Sequence, residues 1–161
     1  MNKSDISPKN IELIVYDFDG VMTDNTALIF EDGTEAVFVN RSDGLAIAKI
    51  KEIDIPQVII STERNSIVTK RGEKLKIPVY QNIGDKLTCL KEVIETHQVS
   101  PQNTIYVGND TNDLEAMKFV GWPIAPKDAH EQIKALAKFI TDSPGGSGVI
   151  REILDLLTGK L

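Results

Sequence analysis

The feature that most constrains this chain is an alternation. From Ile11 onward, short β-branched or apolar runs are separated by longer segments of helical period. Strands that are apolar on both faces must be covered on both faces, and a helix between successive strands supplies the cover. The pattern predicts an α/β fold, a three-layer doubly wound sheet of mostly parallel strands. Strands are expected at 11–16, 57–60, 78–81, 104–107, 123–125 and 139–141, and helices at 43–53, 66–76, 85–98, 112–120, 129–138 and 148–157.

One piece interrupts the alternation. Residues 27–30 and 36–39 are extended apolar runs joined through Glu31-Asp32-Gly33-Thr34, and Asp-Gly between such runs signals a β-hairpin. Leu28, Ile29, Phe30, Val37, Phe38 and Val39 form too large an apolar load for a hairpin in water, so it is expected to pack on something. With 161 residues, 41% of them hydrophobic, the chain suits a single domain over 1–161. The formal net charge of -6 argues against a nucleic acid partner. No run approaches a membrane span, the stretch MNKSDISPKN has no apolar centre, and the lone Cys89 excludes an internal disulfide. A cytoplasmic protein without a membrane partner is expected.

The acidic residues carry the chemistry. Asp17-Phe18-Asp19-Gly20 begins where the first strand stops, so two carboxylates can point into one crevice at the carboxyl edge of the sheet. Crowded anions call for a shared cation, and oxygen donors suit Mg²⁺. Ser61, Lys86 and the run Gly108-Asn109-Asp110-Thr111-Asn112-Asp113 follow later strands and converge on the same rim. Read one at a time, Ser61 fits a helix cap, Lys86 a solvated first-turn lysine and the acidic run an N-cap. Together they supply what phosphoryl transfer uses: a nucleophile, a hydroxyl donor, a fixed cation and a metal cradle.

In this order and on these strands, the residues resemble the haloacid dehalogenase superfamily of phosphohydrolases. Asn40-Arg41-Ser42-Asp43-Gly44, Asp128-Ala129-His130 and the tail Gly145-Gly146-Ser147-Gly148-Val149-Ile150-Arg151-Glu152 are similar to those of its small phosphatases acting on 3-deoxy-octulosonate 8-phosphate and related ulosonate phosphates. The resemblance spans about Ile11 to about Leu157. It implies that Asp17 forms an aspartyl-phosphate, Asp19 is the acid and base, Ser61 holds a phosphoryl oxygen, and Lys86 neutralises Asp17 and the transferring group. It implies Mg²⁺ held by Asp17, the Asp19 carbonyl and the residue after Gly108. That residue is Asn109 where the commonest pattern has aspartate, which leaves Asn109 and Asp110 as alternatives for the ligand, with Asp113 able to add charge directly or through water.

Many members of the superfamily carry a cap domain, but only 43 residues separate Asp17 from Ser61 and 24 separate Ser61 from Lys86, so no cap is expected. The resemblance therefore implies a homotetramer whose hairpins and glycine-rich tails complete adjacent sites. Candidate substrate-binding residues are Asn40, Asp43, Thr62, Glu63, Arg64 and Lys74. Thr62-Glu63 stands where octulosonate 8-phosphate phosphatases usually have Gly-Arg. With Lys74 it resembles the branch acting on nine-carbon, sialic-acid-type 9-phosphates, and the expectation is that this substrate is preferred over octulosonate 8-phosphate. Two other readings stay open. One is a phospho-receiver domain, although the third strand ends Val79-Tyr80-Gln81-Asn82 without its aspartate; the other is a non-catalytic oligomerisation module of a sialate-activation pathway.

Overall fold

A computed structural model describes residues 10–160; the N-terminal stretch inspected for a leader lies almost wholly outside them. Six strands form one sheet: β1 (Leu13–Tyr16), β4 (Gln57–Ile60), β5 (Val79–Tyr80), β6 (Thr104–Val107), β7 (Trp122–Ala125) and β8 (Phe139–Ile140). Their order is β5-β4-β1-β6-β7-β8, and each neighbouring pair is parallel. The expected sheet is present, parallel throughout.

Alternation along the central strands sorts side chains onto two faces. Ile14, Tyr16, Ile59 and Val107 pack under α1 (Arg41–Glu52), α2 (Ser66–Leu75) and α6 (Val149–Leu157). Leu13, Val15, Val58, Ile60 and Tyr106 pack under α3 (Lys86–His97), α4 (Leu114–Phe119) and α5 (Glu131–Leu136). Helix ends differ from expectation where a cap takes the boundary residue. Asp85 accepts from the Leu87 and Thr88 N–H groups as the N-cap of α3, and Lys76 and Gln98 end α2 and α3 in left-handed conformations. The expected helix from Asn112 begins as a 3₁₀ turn at Thr111–Asp113, and α5 begins only after His130, whose side chain caps it.

The hairpin is shorter than its apolar runs suggest. β2 (Leu28–Ile29) and β3 (Glu35–Ala36) pair antiparallel over two residues each. Val37 and Val39 lean on the chain's own core, whereas Leu28, Ile29, Phe30 and Phe38 stay exposed, Phe38 at 79%.

The chain order reverses beside β1, since β4 and β5 lie to one side and β6 to β8 to the other. Ligands of open α/β sheets bind at such a reversal, outside the carboxyl ends of the strands. Asp17, Ser61 and Gly108 each follow the last residue of one of the three central strands.

Candidate active site

Asp17 leaves β1 with its N–H donating to the Val107 carbonyl at 2.9 Å, the last rung of the β1–β6 ladder. Its Oδ1 accepts from the Phe18 N–H at 2.7 Å and from Lys86 Nζ at 2.8 Å. The chain then turns sharply: the Val21, Met22 and Thr23 N–H groups all point at the Phe18 carbonyl. Gly20 has φ +79°, and a Cβ there would fall 1.8 Å from the Asn109 amide nitrogen. Glycine is required because the Asn109 side chain packs directly on the loop. Thr23, fully buried, donates its hydroxyl to Asp19 Oδ1 at 3.3 Å and accepts from the Gly20 N–H.

Asp17, Asp19, Asn25, Thr62 and Glu63 line one side of a cavity of about 280 Å³, and Asn109, Asp110, Thr111 and Asn112 line the other. Lys86 and Ser61 are both buried behind this lining. Ser61 Oγ accepts the Glu63 N–H at 3.1 Å, and Asn65 Nδ2 donates to the Glu63 carboxylate at 3.2 Å.

Beneath the cavity lies a buried charge cluster that the sequence does not reveal. Asp113 is fully buried, and its Oδ1 accepts from Lys86 Nζ at 2.7 Å and from the Tyr106 hydroxyl at 2.9 Å. Its Oδ2 accepts from the Asn109 N–H at 2.9 Å and the Asp110 N–H at 3.3 Å. Four donors therefore use Asp113, which holds Lys86 and the Asn109–Asp110 backbone. Lys86 is no solvated lysine. Burial alone would lower its pKa, but Asp17 and Asp113 more than offset this and hold it raised, so it stays an ammonium between two carboxylates. A signal for Tyr106 was available, since a tyrosine in the middle of a buried strand must find a partner for its hydroxyl.

The electrostatics of the cavity are lopsided. Burial pushes the Asp17 carboxyl upward, with the Asp113 charge adding to it and Lys86 opposing. Burial also raises Asp19, followed by the negative charge of Glu63, while the Thr23 hydroxyl pulls back. Among the described residues four acidic side chains line the cavity and no Lys or Arg does, and the Lys86 ammonium behind it is already shared by Asp17 and Asp113. A phosphate dianion would be repelled unless a cation joined it. The oxygen donors fit a hard divalent ion. Among the described residues no three His, Cys, Asp or Glu side chains converge to hold a metal alone.

Four expected substrate residues stand elsewhere. Asn40 caps α1, accepting from the Ser42 N–H at 2.8 Å. Asp43 is 1% exposed and accepts from the Ile150 and Arg151 N–H groups at 3.1 and 3.2 Å, so it binds the start of α6. Arg64 is exposed and absent from the cavity lining. Lys74 does not pair with Glu63; it lines a separate groove of about 760 Å³ between α1 and α2 with Arg41, Lys51, Arg71 and Lys76. In this chain the glycine-rich tail docks on its own acid loop, Gly146 N–H donating to the Val21 carbonyl at 3.0 Å.

Comparison with known proteins gives this geometry a family. Residues 46–153 match the family of haloacid dehalogenase-like hydrolases. The chain belongs to that family. A hydrolase of the haloacid dehalogenase family from Streptomyces avermitilis superposes with a TM-score of 0.93 at 43% identity, over 95% of this chain and 88% of that one. The 3-deoxy-D-manno-octulosonate 8-phosphate phosphatase of Moraxella catarrhalis, solved with magnesium, phosphate and a KDO molecule, superposes at a TM-score of 0.90 and 30% identity, over 94% and 88% of the two chains. The enzyme of that name from Yersinia pestis is 35% identical over 149 residues, 92% of this chain and 80% of the relative. Like other haloacid dehalogenase-like hydrolases of the phosphatase type, this chain is a phosphoric monoester hydrolase. Among its described residues, no helix is long and apolar enough to cross a membrane.

Proposed function

We propose that the chain hydrolyses a ulosonate phosphate through an aspartyl-phosphate on Asp17. The observation that carries this reading is the pairing of a buried carboxylate at a strand end with a lysine held at 2.8 Å, inside an otherwise anionic cavity. Lys86 opposes the rise that burial and Asp113 impose on Asp17 and fixes the orientation of its carboxyl group, so that once ionised the carboxylate can attack phosphorus in line with the departing alkoxide. Asp19, raised by burial and by Glu63, carries the proton that the alkoxide takes, and its carboxylate then removes a proton from the water that cleaves the intermediate. Thr23 keeps that carboxyl in place. The buried Ser61 hydroxyl and the rim residue Thr62 are donors available to phosphoryl oxygens. Asp17, the Asp19 carbonyl and Asn109 or Asp110 would hold Mg²⁺, which supplies positive charge opposite the transferring phosphoryl group. Magnesium in the Moraxella catarrhalis relative supports that choice of ion.

The relatives' names support the ulosonate class. Glu63 supports its nine-carbon member: its carboxylate lines the cavity and can accept hydrogen bonds from the extra hydroxyls or an amide of a sialic-acid-type 9-phosphate. A substrate carboxylate needs a cation, which this chain's own cavity lacks. Lys74 reaches a site only if it belongs to a neighbouring copy, and the exposed Leu28, Ile29, Phe30 and Phe38 give such a copy an apolar seat. A homotetramer of domains spanning 1–161 with shared sites is therefore proposed. The deciding experiment is phosphate release from a nine-carbon ulosonate 9-phosphate, octulosonate 8-phosphate and common sugar phosphates, with and without Mg²⁺. Turnover that is highest on the nine-carbon substrate and absent in Asp17→Asn is expected. Higher kcat/KM on octulosonate 8-phosphate would overturn the chain-length assignment, and turnover by Asp17→Asn would overturn the covalent mechanism.

A further inference from the structure

Asp43 is a buried carboxylate that the chemistry above does not use, and it reaches across 107 residues of sequence to the first turn of α6. One oxygen accepts two N–H groups there, while Oδ2 is buried without a hydrogen-bond partner. A carboxylate at a helix N-terminus is favoured by the dipole, but burying it in the first turn of another helix is expensive. Its consequence lies just upstream of α6. Segment 142–148 is held at its other end by Glu152, which accepts from the Asp142 and Ser143 N–H groups at 2.9 and 3.0 Å, and in its middle by Asp128, which accepts from the Gly145 N–H at 2.9 Å.

So anchored, the segment presses on the acid loop. A Cβ on Gly145 would stand 2.3 Å from the Gly20 carbonyl oxygen and 2.8 Å from the Thr23 carbonyl oxygen, so only glycine allows this approach. A Cβ on Gly146 would stand 2.6 Å from the Thr23 carbonyl carbon, and Thr23 is the residue whose hydroxyl holds Asp19. The contacts run without a gap from Asp43 to the start of α6, through segment 142–148 to Thr23, and from Thr23 to Asp19.

We propose that Asp43 is a positioning residue for Asp19, acting through the strap 142–148 that it and Glu152 hold against the acid loop. The proposal rests on the phosphatase reading, in which Asp19 protonates the leaving group. Loosening the strap lets the loop drift, and a misplaced acid matters most when the leaving group needs its proton.

The test compares Asp43→Ala with Asp43→Asn, whose amide oxygen still accepts both N–H groups. Two readouts are used: kcat and KM on a sugar phosphate and on p-nitrophenyl phosphate, and hydrogen exchange of the amides at 20–24 and 142–151. Asp43→Ala is expected to lower kcat on the sugar phosphate about tenfold, with KM within about twofold and much less loss on p-nitrophenyl phosphate. It should also speed exchange in both segments, and Asp43→Asn should restore both readouts. Glu152→Ala loosens the strap from its other end and is expected to give the same pattern, which covers the case that Asp43→Ala does not fold. Equal losses on both substrates, or wild-type exchange at 20–24 in a folded variant, would overturn the proposal. Failure of the wild-type enzyme to release phosphate from any ester would instead overturn the phosphatase reading, and the exchange data would still judge the strap.

Discussion

Replacing Asp113 with asparagine puts the buried cluster to a quantitative test. The four donors around Asp113 are split evenly, with Lys86 and Tyr106 on Oδ1 and the Asn109 and Asp110 N–H groups on Oδ2. An asparagine has one oxygen, so its NH₂ must face one of these pairs. Facing Lys86, it sets a donor against an ammonium whose side chain is 2% exposed and removes one of its two counter-charges. Facing the backbone, it strands two N–H groups at the site's edge. Either way about two hydrogen bonds are lost, at least one of them charge-assisted, and the breaking of a buried ion pair typically costs about 3–5 kcal/mol. An exposed N-cap, the reading that the sequence alone suggests for this acidic run, would cost only about 1 kcal/mol. In urea, with a slope of about 2 kcal/mol per molar, the larger figure lowers the unfolding midpoint by about 2 M. Phosphate release from the folded fraction should fall as well, because Lys86, left with Asp17 alone, moves toward it. Asp110→Asn is the control and should shift the midpoint by less than about 0.7 M, the exposed-cap cost divided by that slope with some margin. An Asp113→Asn loss of about 1 kcal/mol or less would refute the cluster as a structural and electrostatic unit.

Four further outcomes are expected. Asp19→Asn should slow sugar phosphate hydrolysis far more than p-nitrophenyl phosphate hydrolysis, by about 10²-fold or more on the former, and equal losses would count against its role as acid. Asn109→Asp should lower the Mg²⁺ concentration for half-maximal activity, because a formal charge joins the cradle; no change would shift the ligand role to Asp110. Phe38→Glu should lower the mass seen by light scattering, because the side chain that its own chain leaves 79% exposed is the seat proposed for a neighbouring copy; a fully active monomer would refute the shared site. The Asp43 carboxyl, pushed by burial from 3.8 up to about 6, holds its proton more tightly folded than unfolded. Its burden on stability is therefore absent near pH 4 and fully present above about pH 6, where it amounts to about 3 kcal/mol. The melting temperature of Asp43→Asn relative to wild type should rise across that window, and a constant difference would contradict the shift.

The parallel sheet, the two faces of its core and the gathering of Asp17, Asp19, Asn109 and Asp110 at one rim were legible in the sequence. They follow from local rules: apolar runs dictate buried strands, parallel strands put their carboxyl ends on one edge, and the residues after each strand meet there. Which of the polar residues face the cavity and which lie beneath it was not legible. Asp113 and Asp110 sit three residues apart in one acidic run, yet one is wrapped by four donors and the other lines the cavity. Asn40 and Asp43 look like site residues because their motif resembles that of the small ulosonate phosphate phosphatases, but the packing of α1 on α6 spends them on a cap and on a helix start. The glycine-rich tail announces a close approach without naming its target, which turns out to be the acid loop of the same chain. Periodicity reports the environment of an element from its own residues. The partner of a buried charge or of a glycine lies on another element, dozens of residues away, and only tertiary packing decides which one it meets.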